Sequence, residues 1–226
     1  MSAQRVGVSV YSGPCASATL TMTNWSHFHR RVMLTNDPAE YALGLAECQR
    51  VGLTVEPYHA VKEIGPHQSF SHSERNILLG FLFDPDANTL LHLEDDVLWR
   101  GLDHLEQAIS ELPRDWDVLY LGANLLLWND GKEPWPIYYT PNLFKVMAAW
   151  TTHAIAYHKR CVRRVLEKQP MFSVQMFDNF LSEMLPELNA YIVAPMVAWQ
   201  RPRYSSIWQR EDDYTPIFEE SDTRLK

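Results

Sequence analysis

Three consecutive carboxylates follow a short apolar run in the stretch TLLHLEDDVLW, residues 89 to 99. On an extended chain Glu94 and Asp96 project to the same side, while Asp95 projects to the other. Carboxylate oxygens suit Mg²⁺ or Mn²⁺, whereas zinc would favour His and Cys ligands. An ion held there would neutralise the charge that develops on a departing diphosphate. The alternative is a solvated acidic turn that caps the next helix or pairs with Arg100.

The elements around this triplet alternate between strand and helix. Apolar runs bounded by turn residues predict strands at 6–11, 30–37, 54–61, 89–93 and 117–122. Helical spacing predicts helices at 38–52 with Asp37 as N-cap, from a Ser71/Glu74 capping box onward, and at 102–112. This order predicts an α/β fold with a mainly parallel central sheet and helices on both faces. Ligands of such sheets bind at the carboxyl ends of the strands, where the triplet lies.

Composition indicates one globular domain, because 226 residues with 46% hydrophobic content can bury a sizeable core. A net charge of −8 argues against non-specific nucleic-acid binding as the main activity, although short basic pieces occur at 158–164 and 200–203. The sequence has no apolar run of about 18 residues and no signal-peptide pattern. Its three cysteines form no C-x-x-C pair. We therefore expect a soluble cytoplasmic protein without a disulfide framework or zinc cluster.

Five segments resemble, in the same order, those of glycosyltransferase family 25, the lipopolysaccharide and collagen galactosyltransferase group. They are SFSHSERNILL, LHLEDDVLW, RDWDVLYLGAN, WTTHAIAYHKRCVRRVLE, and FDNFLSEML with APMVAWQRPRYSSI. Together they cover roughly residues 31–207, and HQSF at 67–70 replaces the family's Gly-Cys-Ala. The resemblance implies a single GT-A domain with a nucleotide-sugar donor, a divalent ion and a hydroxyl acceptor. Its donor half would be 1–123 and its acceptor half 124–207, while 208–226 would form a lid or a disordered tail.

Several residues are candidates for binding the donor and its metal ion. Asp96 is the first choice for direct coordination of Mn²⁺ or Mg²⁺, with Glu94 contacting the ion's water or the ribose. A carboxylate at Asp37 could accept the imide N–H of uracil, or could act only as the N-cap of its helix. The remaining donor-binding candidates are Asp95, His153 and the turn Tyr11, Ser12 and Gly13. For His153 a buried core role is the alternative, and for the turn an ordinary strand end.

Asp178 is the candidate catalytic base, because it is the only acid in the apolar and aromatic neighbourhood FDNFL. Partial desolvation there would raise its basicity. Its alternative role is to cap the helix NFLSEML. The candidates for acceptor binding are Trp128, Trp135 and Arg201. For the tryptophans the alternative is ordinary packing, and Arg201 and Arg203 could close on the diphosphate or form a solvated basic turn.

These features together predict a metal-dependent, inverting transferase that moves a hexose from a nucleotide sugar, expected to be UDP-linked. The acceptor is a hydroxyl, by default that of a saccharide, with a protein or a modified DNA base as further options. A DNA acceptor would require the basic segments 158–164 and 201–203 to line one groove. Two alternatives remain: a catalytically silent sugar-nucleotide-binding or scaffold protein on the same fold, and a metal-dependent phosphoester hydrolase. The hydrolase should show a second cluster of Asp or His.

Overall fold

The computed structural model describes residues 23–62, 65–126, 134–170, 173, 175–205 and 209–226. The strand predicted at 6–11 lies outside these ranges. Within them the helices are α1 (Pro38–Arg50), α2 (Pro66–Phe83), α3 (Leu105–Glu111), α4 (Lys159–Lys168), α5 (Phe177–Met184) and α6 (Thr215–Thr223). The strands are β1 (Arg30–Thr35), β2 (Glu56–His59), β3 (Thr89–Glu94), β4 (Val97–Trp99), β5 (Val118–Tyr120), β6 (Ile137–Thr140), β7 (Leu143–Lys145), β8 (Ala154–His158), β9 (Ala190–Val193), β10 (Ala198–Gln200), β11 (Arg203–Ser205) and β12 (Arg210–Asp212).

Eight of these strands form one central sheet in the order β2-β1-β3-β8-β5-β9-β7-β6. The pairs β1–β2, β1–β3 and β5–β9 are parallel, and β7 and β8 run against their neighbours. Six of the eight strands therefore point the same way, which confirms the α/β fold with a mainly parallel sheet. Strands β10–β4 and β11–β12 form two small antiparallel sheets.

Both faces of the central sheet are buried. Along β1 and β3, Val32 and Leu90 contact the core beneath α2, α4 and α5, whereas Met33 and Leu91 contact the core beneath α1 and α3. Alternate residues on each strand thus enter opposite apolar layers, which explains why these strands are almost continuously hydrophobic. The C-terminal helix α6 also belongs to this body, since its Phe218 is fully buried.

Helix starts show where local sequence signals succeeded and where one failed. Asp37 caps α1 as expected, because its Oδ1 accepts hydrogen bonds from the backbone N–H groups of Ala39 and Glu40. The capping box predicted at Ser71 is wrong, since α2 already begins at Pro66. A proline is favoured at the first helical position, where its missing N–H has no cost. Ser71 instead donates a hydrogen bond from its Oγ to the carbonyl of Gln175 at 2.8 Å.

A close backbone approach joins the central sheet to the β4–β10 ladder. Gly122 lies two residues after the end of β5. A Cβ atom added to Gly122 would lie only 1.7 Å from the carbonyl oxygen of Ala198. The same region is held by the backbone N–H of Ala198, which donates to the carbonyl of Leu121 at 3.0 Å. Only a glycine fits at this crossing, and the crossing places the end of β10 beside the acidic triplet.

None of the helices that the structure describes has the length and apolar character needed to cross a bilayer.

Gly122→Ala should destabilise the protein by about 3 kcal/mol, because the added methyl group meets backbone atoms that cannot move without breaking the ladder. Gly80→Ala is the matched control. Gly80 is exposed near the end of α2, and its added Cβ would meet only the flexible end of Arg30, at 3.3 Å. Alanine is the better helix former, so this control should be neutral or stabilising by up to about 1 kcal/mol. Urea unfolding of the two variants checks both, and equal effects would contradict the crossing.

Candidate functional site

The acidic triplet lies at the carboxyl end of β3, between two cavities. The larger cavity, of about 550 Å³, opens above the ends of β1 and β2. Its walls include Thr35, Asn36, Asp37, Lys62, Ser69 and Asp95. The smaller cavity, of about 100 Å³, is bordered by residues from the segment just before β8, from α5 and from the β11–β12 hairpin. Its walls include Asp96, Thr151, Thr152, Asp178, Gln200 and Arg201.

Three residues border both cavities: Phe70, Glu94 and Arg203. A ligand that occupies both cavities must therefore pass over this shared wall. The wall offers one aromatic ring, one carboxyl group and one guanidinium group. Among the residues that the structure describes, Arg203 is the only cationic side chain that borders both cavities.

Each acid of the triplet has at least one hydrogen-bond or ion-pair partner. The Thr152 hydroxyl donates to Glu94 Oε1 at 3.0 Å. Arg203 Nη1 lies 2.5 Å from Asp95 Oδ1, and Arg203 Nε lies 3.0 Å from Asp96 Oδ2. Asp96 Oδ2 also accepts a hydrogen bond from Gln200 Nε2 at 3.2 Å. One guanidinium thus bridges two adjacent carboxylates.

Burial and mutual repulsion shape the protonation of these acids. Burial, followed by the charge of Asp96, raises the pKa of Glu94 to about 8. Burial also raises the pKa of Asp95 and of Asp96, while the Arg203 guanidinium opposes both increases. Although burial works against it, the charges of Asp96 and Asp95 raise the pKa of Arg203. At neutral pH Glu94 therefore carries its proton more often than an ordinary glutamate does, whereas the contacts with Arg203 favour the ionised forms of Asp95 and Asp96.

The β4–β10 ladder explains how residues a hundred positions apart in sequence meet here. Val97, directly after the triplet, pairs with Gln200 at the end of β10. The register continues by one bond, because the backbone N–H of Arg201 donates to the carbonyl of Asp96 at 2.7 Å. The guanidinium of Arg201 turns to Glu40 Oε2 at 2.8 Å, and two residues later Arg203 reaches the acids.

Asp178 lies in the first turn of α5 and faces the smaller cavity together with Glu94 and Asp96. Its Oδ2 accepts a hydrogen bond from the Thr151 backbone N–H at 3.4 Å, and its Oδ1 accepts one from Asn179 N–H at 2.8 Å. Thr151 has φ of 69°, a left-handed conformation that is rare for a threonine and concentrates at functional sites. Burial raises the pKa of Asp178, and the two backbone donors limit that increase. The helix N-cap is Met176, so Asp178 is not the cap.

Two further predicted residues have mainly structural contacts. His153 is fully buried, with Nε2 3.2 Å from the carbonyl of Ala198 and Nδ1 3.2 Å from Thr151 Oγ1. Burial lowers the pKa of this histidine to about 4. Its carbonyl accepts the backbone N–H of Glu94 at 3.0 Å, so His153 supports the triplet without bordering either cavity. Asp37 both caps α1 and borders the larger cavity, as the two roles considered for it allow.

The structure brings some of the remaining candidates to the site and leaves others elsewhere. Arg201 borders the smaller cavity. Trp135 is 62% exposed, has the Arg224 guanidinium 4.8 Å from its ring centroid, and does not border the cavities. Tyr11, Ser12, Gly13 and Trp128 lie outside the described residues.

Sequence reasoning missed several residues that the fold brings to the site. Thr152, Gln200, Lys62 and Phe70 line the cavities, and none of them carries a local signal of function. Gln200 lies in the segment APMVAWQRPRYSSI, which resembles family 25, but no role was assigned to Gln200 from that resemblance. The pairing of β10 with β4 is what gives that piece its place, and strand pairing over such a separation leaves no periodic pattern in sequence.

The two basic segments lie at opposite ends of the strands of the central sheet. His158, at the start of the segment 158–164, pairs with Thr89 at the beginning of β3. Arg201 and Arg203 lie by Asp96, just beyond the end of the same strand. Strand β3 has six residues, so its two ends are roughly 17 Å apart. The two basic segments are therefore about one strand length apart, and only the segment 201–203 lies beside the triplet.

The carboxylate oxygens at the triplet are the candidate ligands for a divalent ion. Within the described ranges no group of three or more His, Cys, Asp or Glu side chains is arranged to hold a metal ion. However, Asp96 Oδ1 is buried and receives no hydrogen bond from any described residue. Mg²⁺ and related ions commonly take only one or two carboxylates from the protein and complete their shell with phosphate and water. Asp96 Oδ1 with Glu94 fits an ion of that kind, which shares its coordination with a phosphate ligand.

Another buried acid, Glu74, lies in the layer beneath the triplet. Glu74 of α2 and His92 of β3 are both fully buried, with Oε1 and Nε2 3.2 Å apart. Burial, followed by the charges of Glu94 and Asp178, raises the pKa of Glu74 well above its usual value. Burial lowers the pKa of His92 to about 3. Both shifts favour the uncharged forms of this pair.

Comparison with solved structures finds similar folds at low identity. A197 from STIV has 15% identity and a TM-score of 0.49, over 81% of this chain and 95% of that chain. A glycosyltransferase involved in the glycosylation of the major capsid of PBCV-1 has 12% identity and a TM-score of 0.44, over 72% and 79%. The 4-diphosphocytidyl-2C-methyl-D-erythritol synthase from Anaerococcus prevotii has 10% identity and a TM-score of 0.43, over 86% and 95%.

No protein-family model and no curated protein sequence matches the chain. The structural similarities include glycosyltransferases and nucleotidyltransferases, but at these identities and TM-scores they assign no residue roles. Membership of family 25 stays a prediction from the sequence motifs.

Glu74→Gln should remove a pH-dependent cost to stability. Above the ordinary pKa of about 4.4 the unfolded chain releases the Glu74 proton while the folded chain retains it, so the wild type loses stability as pH rises. The difference in unfolding free energy between variant and wild type should grow from pH 5 upward by as much as about 1.4 kcal/mol per pH unit. Urea unfolding at pH 5, 6, 7 and 8 measures it. Glu167→Gln, at an exposed position of α4, is the control and should follow the wild type. Parallel curves for Glu74→Gln would show that Glu74 is ionised when folded.

Proposed function

We propose that this chain is a glycosyltransferase of the GT-A type, which moves a sugar from a nucleotide-sugar donor to a hydroxyl acceptor. The observation that carries the proposal is the pair of cavities that meet over the acidic triplet, with Asp178 facing the second cavity. This arrangement suits a two-part donor whose linking group lies at the acids and whose sugar lies near a base. The order of the family 25-like motifs along the chain supports the same class.

The larger cavity is the proposed nucleotide site. It opens at the carboxyl ends of β1 and β2, which is where open α/β sheets bind their ligands. Asp37 and Asn36 at the end of β1 offer polar groups for a base, and Asp37 Oδ1 is engaged by the helix cap. Phe70 offers an aromatic edge at the shared wall. A uracil base fits this chemistry, since its imide N–H needs an acceptor such as a carboxylate.

A divalent ion, Mn²⁺ or Mg²⁺, is proposed to be held by Asp96 and Glu94. When bound it would supply positive charge to the diphosphate as that group leaves. Two adjacent carboxylates, Asp95 and Asp96, share the single guanidinium of Arg203, and this arrangement favours an added cation. A diphosphate approaching this balance without a cation would be repelled.

Asp178 is the proposed catalytic base. Its carboxylate would take the proton from the acceptor hydroxyl while that oxygen attacks the anomeric carbon of the sugar. The new carbon–oxygen bond forms as the bond to the diphosphate breaks, so the nucleoside diphosphate leaves and the configuration inverts. The raised pKa of Asp178 makes it a stronger base than an exposed aspartate.

The acceptor is proposed to be a saccharide hydroxyl. The separation of the two basic segments disfavours a DNA acceptor.

Asp178→Asn should retain donor binding and lower the rate of sugar transfer by about 100- to 10,000-fold, because the amide cannot accept the hydroxyl proton. In the wild type the rate should rise with pH through the raised pKa of Asp178, since only the ionised carboxylate acts as base. Release of nucleoside diphosphate in the presence of a saccharide acceptor measures both. Glu183→Gln, exposed on the same helix, is the control. Full activity in Asp178→Asn would place the base elsewhere.

Asp96→Asn should abolish the part of donor affinity that depends on manganese, because the amide supplies no charge to the ion. Calorimetry with uridine diphosphate, with manganese and with a chelator, separates that part from the rest. The control is Asp103→Asn, in the turn after β4. An Asp96→Asn variant that is folded and gains as much affinity from manganese as the wild type would remove Asp96 from the site.

A further inference from the structure

Arg203 holds carboxylate oxygens directly beside the proposed metal site. Its guanidinium contacts Asp95 Oδ1 at 2.5 Å and Asp96 Oδ2 at 3.0 Å, and both carboxylates have side chains only 4% exposed. We infer that Arg203 is an internal counter-ion, which competes with a divalent cation for the triplet and moves to the anionic group of a bound ligand. The second half of this inference rests on the proposed function.

Competition follows from the charges and from the geometry of Asp96. That residue gives Oδ2 to Arg203 and Gln200, while its buried Oδ1 receives no hydrogen bond from the described residues. An ion on Oδ1 would lie within a few ångströms of the guanidinium, on the same carboxylate. Two cations so close repel each other strongly in a buried environment. A divalent ion and the present Arg203 contacts therefore weaken one another.

The backbone around Arg203 is held independently of its side chain. The N–H of Arg201 donates to the carbonyl of Asp96 at 2.7 Å, and Arg203 pairs with Asp212 in the β11–β12 hairpin. Loss of the carboxylate contacts would thus free the side chain without unfolding the segment. The guanidinium already borders both cavities and is 26% exposed.

The shared wall identifies what the freed guanidinium would meet. Phe70, Glu94 and Arg203 are the residues common to both cavities, and Arg203 is the one cation among them. A nucleotide sugar that fills both cavities carries its diphosphate across this wall. A guanidinium binds phosphate oxygens in a bidentate manner, so Arg203 can exchange two carboxylates for a phosphate group.

The test measures manganese binding by calorimetry in the absence of any nucleotide. Arg203→Gln should bind Mn²⁺ about tenfold more tightly than the wild type, a change within the range typical of coupled binding events. The same variant should bind uridine diphosphate with manganese about tenfold more weakly, because the phosphate loses its guanidinium partner. These opposite directions distinguish a competing counter-ion from a residue that merely maintains the fold, which would weaken both. Arg163→Gln, exposed on α4, controls for the loss of one positive charge.

Arg203→Lys is the second variant, in case the glutamine variant does not fold. It keeps the charge, so its Mn²⁺ affinity should stay close to that of the wild type. Unchanged or weaker Mn²⁺ binding in a folded Arg203→Gln, or no Mn²⁺ binding in either protein, would overturn the inference. If the wild type binds Mn²⁺ but no nucleotide, the proposed function fails, while the comparison of Mn²⁺ affinities still decides whether Arg203 competes.

Discussion

Burying three adjacent carboxylates at the end of a buried strand is the constraint on which this structure depends. Carboxylates removed from water destabilise the fold unless they are protonated, hydrogen-bonded or paired. Glu94 is held by Thr152 and has a raised pKa, whereas Asp95 and Asp96 share Arg203. The β4–β10 ladder and the close backbone approach at Gly122 place these partners beside the acids. A protein does not maintain such an arrangement for stability, since an apolar turn would be at least as stable.

The neighbouring elements limit the negative charge at this edge while keeping it available for chemistry. Glu74 lies below the triplet beside His92, and burial raises the pKa of Glu74 and lowers that of His92, so both shifts favour the uncharged forms. Asp178 faces the smaller cavity on the other side, where a left-handed Thr151 directs a backbone donor to it. The result is one concentrated negative pair, one bridging cation and one separate base. That combination suits the transfer of a group away from an anionic leaving group.

Local signals predicted the elements that carry the acids, and non-local pairing determined everything that neutralises them. β1, α1 with its Asp37 cap, and the strand before Glu94 follow from apolar runs, Pro38 and turn residues within a few positions. The predicted start of α2 was wrong because Pro66 is a stronger start signal than the Ser71/Glu74 pair. Gln200 and Arg203 meet the triplet across about a hundred residues, through a strand pairing that no local pattern specifies. The contact of the Trp135 ring with the Arg224 guanidinium likewise joins residues far apart in the sequence.

The most direct test of the account is calorimetric binding of a panel of donors to the wild-type chain. The panel contains UDP-glucose, UDP-galactose, UDP-N-acetylglucosamine and GDP-mannose, each measured with manganese and with a chelator. The account predicts that at least one donor binds, that manganese strengthens its binding, and that the free nucleoside diphosphate competes with it. Absence of binding by every donor under both conditions would contradict it, and the triplet would then be a structural turn held by Arg203.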